Sequence, residues 1–268
     1  VTPADSRPAQ GEPPRASPLP EVRRVGFAAP LRWLAAGFDD FRAHPMPSFF
    51  YGTCFAAMAW LITIVFEHAT PYVSALVSGF FLVGPFLATG FYALSRRRER
   101  GEPVWLAPTL DAWRPNVGAI GVFALILAVV LLVWARASLV VFALFYTSEM
   151  PSVQGFLAQV LQPSNIEFLL AYACVGGFFA LLVLAVSAVA VPMMLDRGTD
   201  GVVAVLTSLR AFGTNLGPML VWGALIVLVI GAGFALWLVG LVVAVPVIGH
   251  ATWHAYRALV APATDPPA

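Results

Sequence analysis

Lysine is absent from these 268 residues, and every basic side chain is an arginine. We read that as a coding bias toward GC-rich codons. Charged residues of both signs make up only 11% of the chain, against about a quarter in soluble domains. The net charge is +1, too small for a global field that would attract nucleic acid. The two cysteines, Cys54 and Cys174, sit at different depths of apolar runs entering from opposite sides; they are expected to fill the core without a disulfide or a metal. Neither a phosphate-binding P-loop nor a G-x-S-x-G elbow occurs. The apolar runs hold almost no acidic residue in their interiors, which argues against an ion-coupled pump. The four histidines lie near run ends, too few for a haem–copper catalytic subunit. We therefore expect no enzyme, no catalytic residue, no metal site and no cofactor.

What is present is apolar length. Hydrophobic residues make up 60% of the chain, in runs reaching the roughly 18 residues that cross a ~30 Å hydrocarbon core. The expected fold is all-α: a polytopic membrane bundle of six transmembrane helices. The spans are Phe49–Phe66, Tyr72–Leu94, Val117–Ala135, Phe168–Leu195, Leu216–Ala235 and Leu236–Tyr256, the last two folded into a tight hairpin near Gly231, Gly233 and Gly240. Residues 1–24, rich in proline and small polar side chains, are expected as a disordered cytoplasmic tail. Residues 25–260 form the six-span domain and 261–268 a short cytoplasmic tail. The opening valine is expected to translate an alternative start codon.

Arginine sets the orientation. On this topology fourteen of the fifteen arginines fall on one side, and Arg136 alone falls on the other. A bacterial inner-membrane protein with both termini cytoplasmic is expected. Ala137 to Tyr146 is apolar and could prolong the third span, placing Arg136 inside the outer leaflet; alternatively Arg136 marks the outer interface and snorkels to headgroups. Gly155 to Gln162 reads as a short outer surface helix.

Three segments align without gaps: "FDDFRAHPMPSFFYG" from Phe38, "LDAWRPNVGAIGVFA" from Leu110 and "LRAFGTNLGPMLVWG" from Leu209. Phe41, Trp113 and Phe212 coincide, as do His44, Asn116 and Asn215, then Tyr51, Phe123 and Trp222. Each segment precedes an odd-numbered span, and the even spans hold Pro85, Pro192 and Pro246. The pattern predicts three repeated units, each an interfacial amphipathic helix, a span and a proline-bearing span. His44, Asn116 and Asn215 are the expected caps of the spans that follow. In the stretch Asp196–Gly217, Asp200 or Thr199 is expected to start a helix and Gly213 to end it. Its face of Val202, Val205, Leu206, Leu209 and Phe212 is expected to bury against lipid or the bundle, with Thr207 and Ser208 facing water or headgroups. That stretch reads as a structural joint ahead of a catalytic loop.

"GPFLATGFYALSRRRERGE" (Gly84 to Glu102), preceded by "HPMPSFFYG" and followed by "VPMMLDRGTDGVVAVLTSLRAFGTN", resembles an uncharacterised family of predicted integral membrane proteins from proteobacteria. Some of its members are described as cytochrome c oxidase subunits. The resemblance runs from about Val22 to Val260, and the pattern from Pro192 to Arg210 is similar to a wider group of six-span proteins. It implies a topology and a respiratory setting, and brings no catalytic residues.

Remaining candidates have modest readings. His250 and His254 are one helical turn apart, a metal-site spacing to which His44 would add a third ligand. The blander reading makes "HATWHAYR" an interfacial belt of Trp253, His254, Tyr256 and Arg257. Glu67 and His68 read as a solvated outer loop. Asp39, Asp40 and Asp111 suit local pairs with Arg42 and Arg114. Arg96, Arg97, Arg98 and Arg100 are candidate contacts to an anionic lipid headgroup. The leading reading is a non-catalytic accessory component of a respiratory terminal oxidase, with oxidase subunits and the lipid bilayer as partners and no nucleic acid. The alternative is a small-solute permease or lipid-handling protein, marked only by Ser74, Ser78 and Thr89.

Overall fold

The computed structural model describes residues 19–68, 73–145 and 166–262. The described residues are helical, with no strand beyond an isolated bridge between Val22 and Val260. In chain order the helices are α1 (Ala29–Ala43), α2 (Pro45–His68), α3 (Val73–Glu99), α4 (Val117–Phe145), α5 (Ile166–Ser187), α6 (Ala190–Arg197), α7 (Gly201–Thr214), α8 (Leu216–Ala235) and α9 (Leu241–Leu259). Short 3-10 turns at Ala107–Thr109 and Arg114–Asn116 lead into α4. Among the described residues, four helical stretches are long and apolar enough to cross a membrane: Pro45–Phe66, Ala107–Phe145, Ile166–Arg197 and Leu216–Ala235. The six expected stretches are helical over most of their described length, but α3 and α9 fall outside that set; both are apolar in one half and end in polar residues.

The expected break between Ala235 and Leu236 falls where α8 ends. The chain reverses over residues 236–240 so tightly that a Cβ on Gly240 would lie 2.8 Å from the Gly233 Cα. The left-handed residues of this turn are Trp237 (φ 55°) and Leu238 (φ 64°) rather than a glycine. The fourth expected span is two helices, because Pro192 cannot donate an i−4 backbone bond and the axis breaks at residues 188–189.

The core gathers under the arginine-rich end. Trp222, Trp253, Tyr256, Phe91, Phe123, Met193 and Met194 are fully buried there. At the opposite end large apolar residues such as Trp60, Leu144 and Trp237 are exposed. In lipid that exposure carries no hydrophobic penalty, so packing goes to small residues that let backbones approach. α1 lies across α9 at Gly37, where a Cβ would stand 2.5 Å from the Ala251 nitrogen. Its buried face is Ala29, Trp33, Gly37, Asp40 and Phe41, while Leu31 and Phe38 look outward.

Several expectations change. Residues 21–23, expected in the first tail, are bonded to the far end of the chain: Arg23 N–H donates to Leu259 O (2.8 Å) and Ala261 N–H to Glu21 O (2.9 Å). Those bonds also tie down the start of the C-terminal tail. On α7 the expectation for Thr207 and Ser208 is overturned, and it is this small, polar face that packs against the bundle. Gly201, Ala204, Thr207, Ser208 and Ala211 are buried, whereas Val202, Leu206 and Leu209 are exposed. α7 runs on through Gly213 to Thr214. Both cysteines are free, and Cys174 is exposed rather than core. The short outer helix expected at Gly155 to Gln162 lies outside the described residues.

Candidate functional site

Three ordered polar features meet under the arginine-rich end. The deepest is centred on His250, midway along α9 and 1% exposed. Its Nε2 lies 2.9 Å from Ser48 Oγ on α2 and its Nδ1 2.8 Å from Ser95 Oγ on α3. The Phe91 ring meets its edge, with centroids 5.6 Å apart. Ser95 donates to Asp40 Oδ2 (2.5 Å), and Asp40 also receives His254 Nε2 (2.9 Å) and Arg98 Nη1. Gly37 makes this possible: by letting α1 touch α9, it brings Asp40, three residues on, over the α3–α9 seam. Burial alone would raise the Asp40 pKa, but hydrogen bonds from His254 and Ser95 and the nearby imidazole charge hold it below its ordinary value.

Proton counting restricts the states of this chain. Ser48 Oγ also reaches His44 O at 2.8 Å, yet a hydroxyl has one proton. With a neutral His250 ring, every proton is used once if Nδ1–H donates to Ser95, Ser95 to Asp40, and Ser48 to Nε2. With a cationic ring both nitrogens donate and Ser48 turns to the His44 carbonyl. The two arrangements differ by the rotation of one hydroxyl and need no helix to move.

The second feature stitches α9 to α3 and α6. Trp253 Nε1 and Arg257 Nε donate to Glu99 (both 3.0 Å), and the Tyr256 hydroxyl donates to Asp196 (2.8 Å) while accepting from Arg197 Nε (2.8 Å). Trp253 and Tyr256 are thus buried pillars, not a lipid-facing belt. The third feature closes the end of α6. Gly198 takes the left-handed conformation, Arg96 Nη1 donates to Leu195 O (2.8 Å), and Asn116 Nδ2 donates to the carbonyls of Met194 (3.1 Å) and Thr199 (3.0 Å).

The expected caps therefore act differently. Asn116 caps the C-terminus of α6 rather than the N-terminus of α4. Asn215 gives α8 no side-chain cap. It accepts from Val25 N–H (2.8 Å) and donates to Arg23 O (2.9 Å) and Ala211 O (3.1 Å), fastening the N-terminal segment to the α7–α8 joint. His44 supplies its carbonyl to Ser48, not a cap through its ring. The expected cap Asp200 does accept from Val202 N–H at 2.8 Å.

The arginines are dispersed among protein partners. Arg97 bonds Pro103 O and pairs with Glu102 (3.2 Å), Arg98 pairs with Asp40, and Arg100 reaches Asp196 at 3.5 Å. Arg114 pairs with Asp111 at 3.8 Å as expected, whereas Arg42 lies over the Phe38 ring. The His250 and His254 rings take separate partners, and no group of three or more His, Cys, Asp or Glu that could hold a metal occurs among the described residues. His68 Nδ1 lies 2.9 Å from Ile64 O, and the Glu67 side chain lies outside the described residues. So do Ser74 and Ser78, while Thr89 donates to its own helix at Phe86 O.

Ser48 and Ser95 carry no signal in the sequence, and Ser208 is expected there to face water or headgroups. Ser208 sits in the break between α5 and α6, accepting Val189 N–H (3.2 Å) and donating to Ala185 O (2.7 Å). Those are the two groups an unbroken helix would have joined, so the hydroxyl is inserted into the ladder. The available signal was a Thr-Ser pair in an apolar helix near a proline-bearing span, where hydroxyls need partners.

Between the helices lies a cavity of about 290 Å³ lined by Phe55, Tyr92, Phe123, Leu184, Trp222 and Ile226 among others. It is overwhelmingly apolar.

Residues 73–196 match the family model described as a predicted integral membrane protein, DUF2189. This supports the resemblance read from the sequence at the level of an uncharacterised membrane family. The chain is an integral membrane protein with several apolar helices. No curated protein and no solved structure matches it.

Proposed function

We propose that the chain is a non-catalytic accessory component of a respiratory terminal oxidase, spanning the bacterial inner membrane six times with both termini cytoplasmic. The observation that carries the non-catalytic part is saturation. The carboxylates and imidazoles of the buried cluster are engaged by protein partners among the described residues; the buried side-chain polar atoms there without a partner are Ser138 Oγ and Trp222 Nε1. The central cavity presents apolar side chains. The oxidase partner comes from the family resemblance in the sequence. Arg98 and Arg100 keep part of their surface outward, which supports contact with anionic lipid at the cytoplasmic leaflet.

Chain order supports three repeated units: a short helix or turn segment, a long apolar helix, then a proline-bearing helix, three times over. The aligned Tyr51, Phe123 and Trp222 are all buried. A second reading, lipid handling, is favoured by the apolar lining of the cavity.

The test is native purification with cross-linking mass spectrometry, beside a deletion strain. Oxidase subunits are expected among the cross-linked partners, with less assembled oxidase in the deletion strain and unchanged turnover per oxidase. Absence of those cross-links, together with lipid transfer between vesicles by the purified protein, would replace the accessory reading by the second.

A further inference from the structure

Arg136 lies far from the arginine-rich end. Asn116, just before α4, is fixed at that end by its bonds to Met194 and Thr199 carbonyls. At 1.5 Å per residue, Arg136 stands about 28 Å along α4 from Val117, and the helix continues about 13 Å further to Phe145. The whole helix is thus longer than a hydrocarbon core of ~30 Å. Arg136 is exposed, and so are its neighbours one turn away on either side: Leu132 (59%), Val133 (52%), Leu139 (50%) and Val140 (59%). The same stripe continues to Leu144, at 73%. The opposite face is packed: Val141 is buried, and Phe142 meets Phe168 and Tyr172. Arg136 is therefore a cation set within an apolar outer stripe that runs two turns beyond it.

Seating that far stripe in lipid carries Arg136 beneath the plane of the outer headgroups. A cation there requires an anion, and no described residue gives it an ion pair or a hydrogen bond. The guanidinium fork matches phosphate by two parallel N–H donors. The apolar stripe above and below fits acyl chains better than the polar rim of a protein contact. We propose that Arg136 binds the phosphate of an outer-leaflet phospholipid, drawn below the plane of its neighbours. This rests on α4 crossing the bilayer and on the proposed orientation with both termini cytoplasmic, and not on the oxidase reading.

The test uses the full chain in vesicles of phosphatidylethanolamine and phosphatidylglycerol. Native mass spectrometry of protein released from them should show one retained phospholipid in the wild type and in R136K. In R136Q its occupancy should fall by roughly tenfold, the order expected for losing a charge-assisted pair of hydrogen bonds. Excess inorganic phosphate should not displace it. In a Cys54→Ser, Cys174→Ser background keeping Arg136, a nitroxide at Val140→Cys should collide with oxygen in preference to a water-soluble nickel chelate. Equal lipid retention in R136Q, displacement by inorganic phosphate, or nickel access at position 140 would each overturn the proposal.

Discussion

Ser208 shows how a single hydroxyl acts in a medium without water. Removing it leaves the Val189 N–H and Ala185 C=O unpaired in a buried break, a loss of about 1–3 kcal/mol. Leu206, 46% exposed, meets the surroundings of the bundle, so its truncation removes few protein contacts. Ser208→Ala is expected to lower the melting temperature and membrane abundance of the protein, and Leu206→Ala to leave both near normal. The reverse ranking would show that α7 packs through its large apolar face. Asp40 gives a second test at this scale. Its folded pKa is depressed, so its stabilising contribution is fully present above an unfolded value of about 3.9 and is lost as pH falls through the lower folded value. Thermal stability should therefore drop with acid below about pH 4. Asp40→Asn should be less stable at neutral pH and show a shallower acid limb, measured by melting in detergent across pH. At Arg136, the competing energies are unequal. An arginine at mid-helix costs about 2.5–3.5 kcal/mol on insertion scales. Leu139, Val140, Leu144 and Phe145 would each forfeit up to about 1.5–3 kcal/mol in water. The helix sinks, and the cation finds a phosphate.

Helices in this protein are joined by close approach and by shared polar groups rather than by apolar faces. α1 is the clearest case. Its contact with α9 depends on Gly37, where a side chain would meet the Ala251 nitrogen and the Val247 carbonyl, neither of which can rotate away. Gly37→Val should lift α1 from α9, disengage Asp40 from His254 and Ser95, and expose the 19–44 segment to protease. Gly118→Ala, where a Cβ meets nothing within 4 Å, is the matched control and should remain resistant. Equal resistance of both variants would mean that α1 is held from elsewhere. The α5–α6 pair makes the complementary point. Its break follows from Pro192, but the break persists in the core because Ser208 on α7 satisfies the groups it frees.

At the scale of the whole molecule, one end is a polar, densely bonded cap and the other is apolar. The cap draws on α1, α3, α6 and α9 together with both ends of the described chain, through the Val22–Val260 bridge and the Arg197 bond to Ala261 O. On the proposed orientation, with both termini cytoplasmic, reporter fusions after Gly101, Gly198 and Ala258 should read cytoplasmic, and fusions near Thr70 and Ser152 periplasmic. A periplasmic signal at Gly198 would remove α3 or α4 from the set of spans.

The sequence by itself determined the apolar helices, the arginine-rich end, the break between Ala235 and Leu236 and the Asp200 cap, because run length, charge distribution and capping chemistry are local properties. It also marked Arg136, since a charge inside an apolar run is visible without a structure. Only the tertiary structure decided which faces are buried. Periodicity places Leu206 and Leu209 on one side of α7 and Thr207 and Ser208 on the other, but says nothing of which side meets protein. The rule that apolar residues go inward holds against water and fails against lipid. The site escaped for a related reason. Ser48, Ser95, Asp40 and His250 come from four helices, and along the chain each is an ordinary polar residue in or beside an apolar run. Their hydrogen bonds exist because Gly37 lets two helices touch, a coincidence in space that no spacing along the chain records.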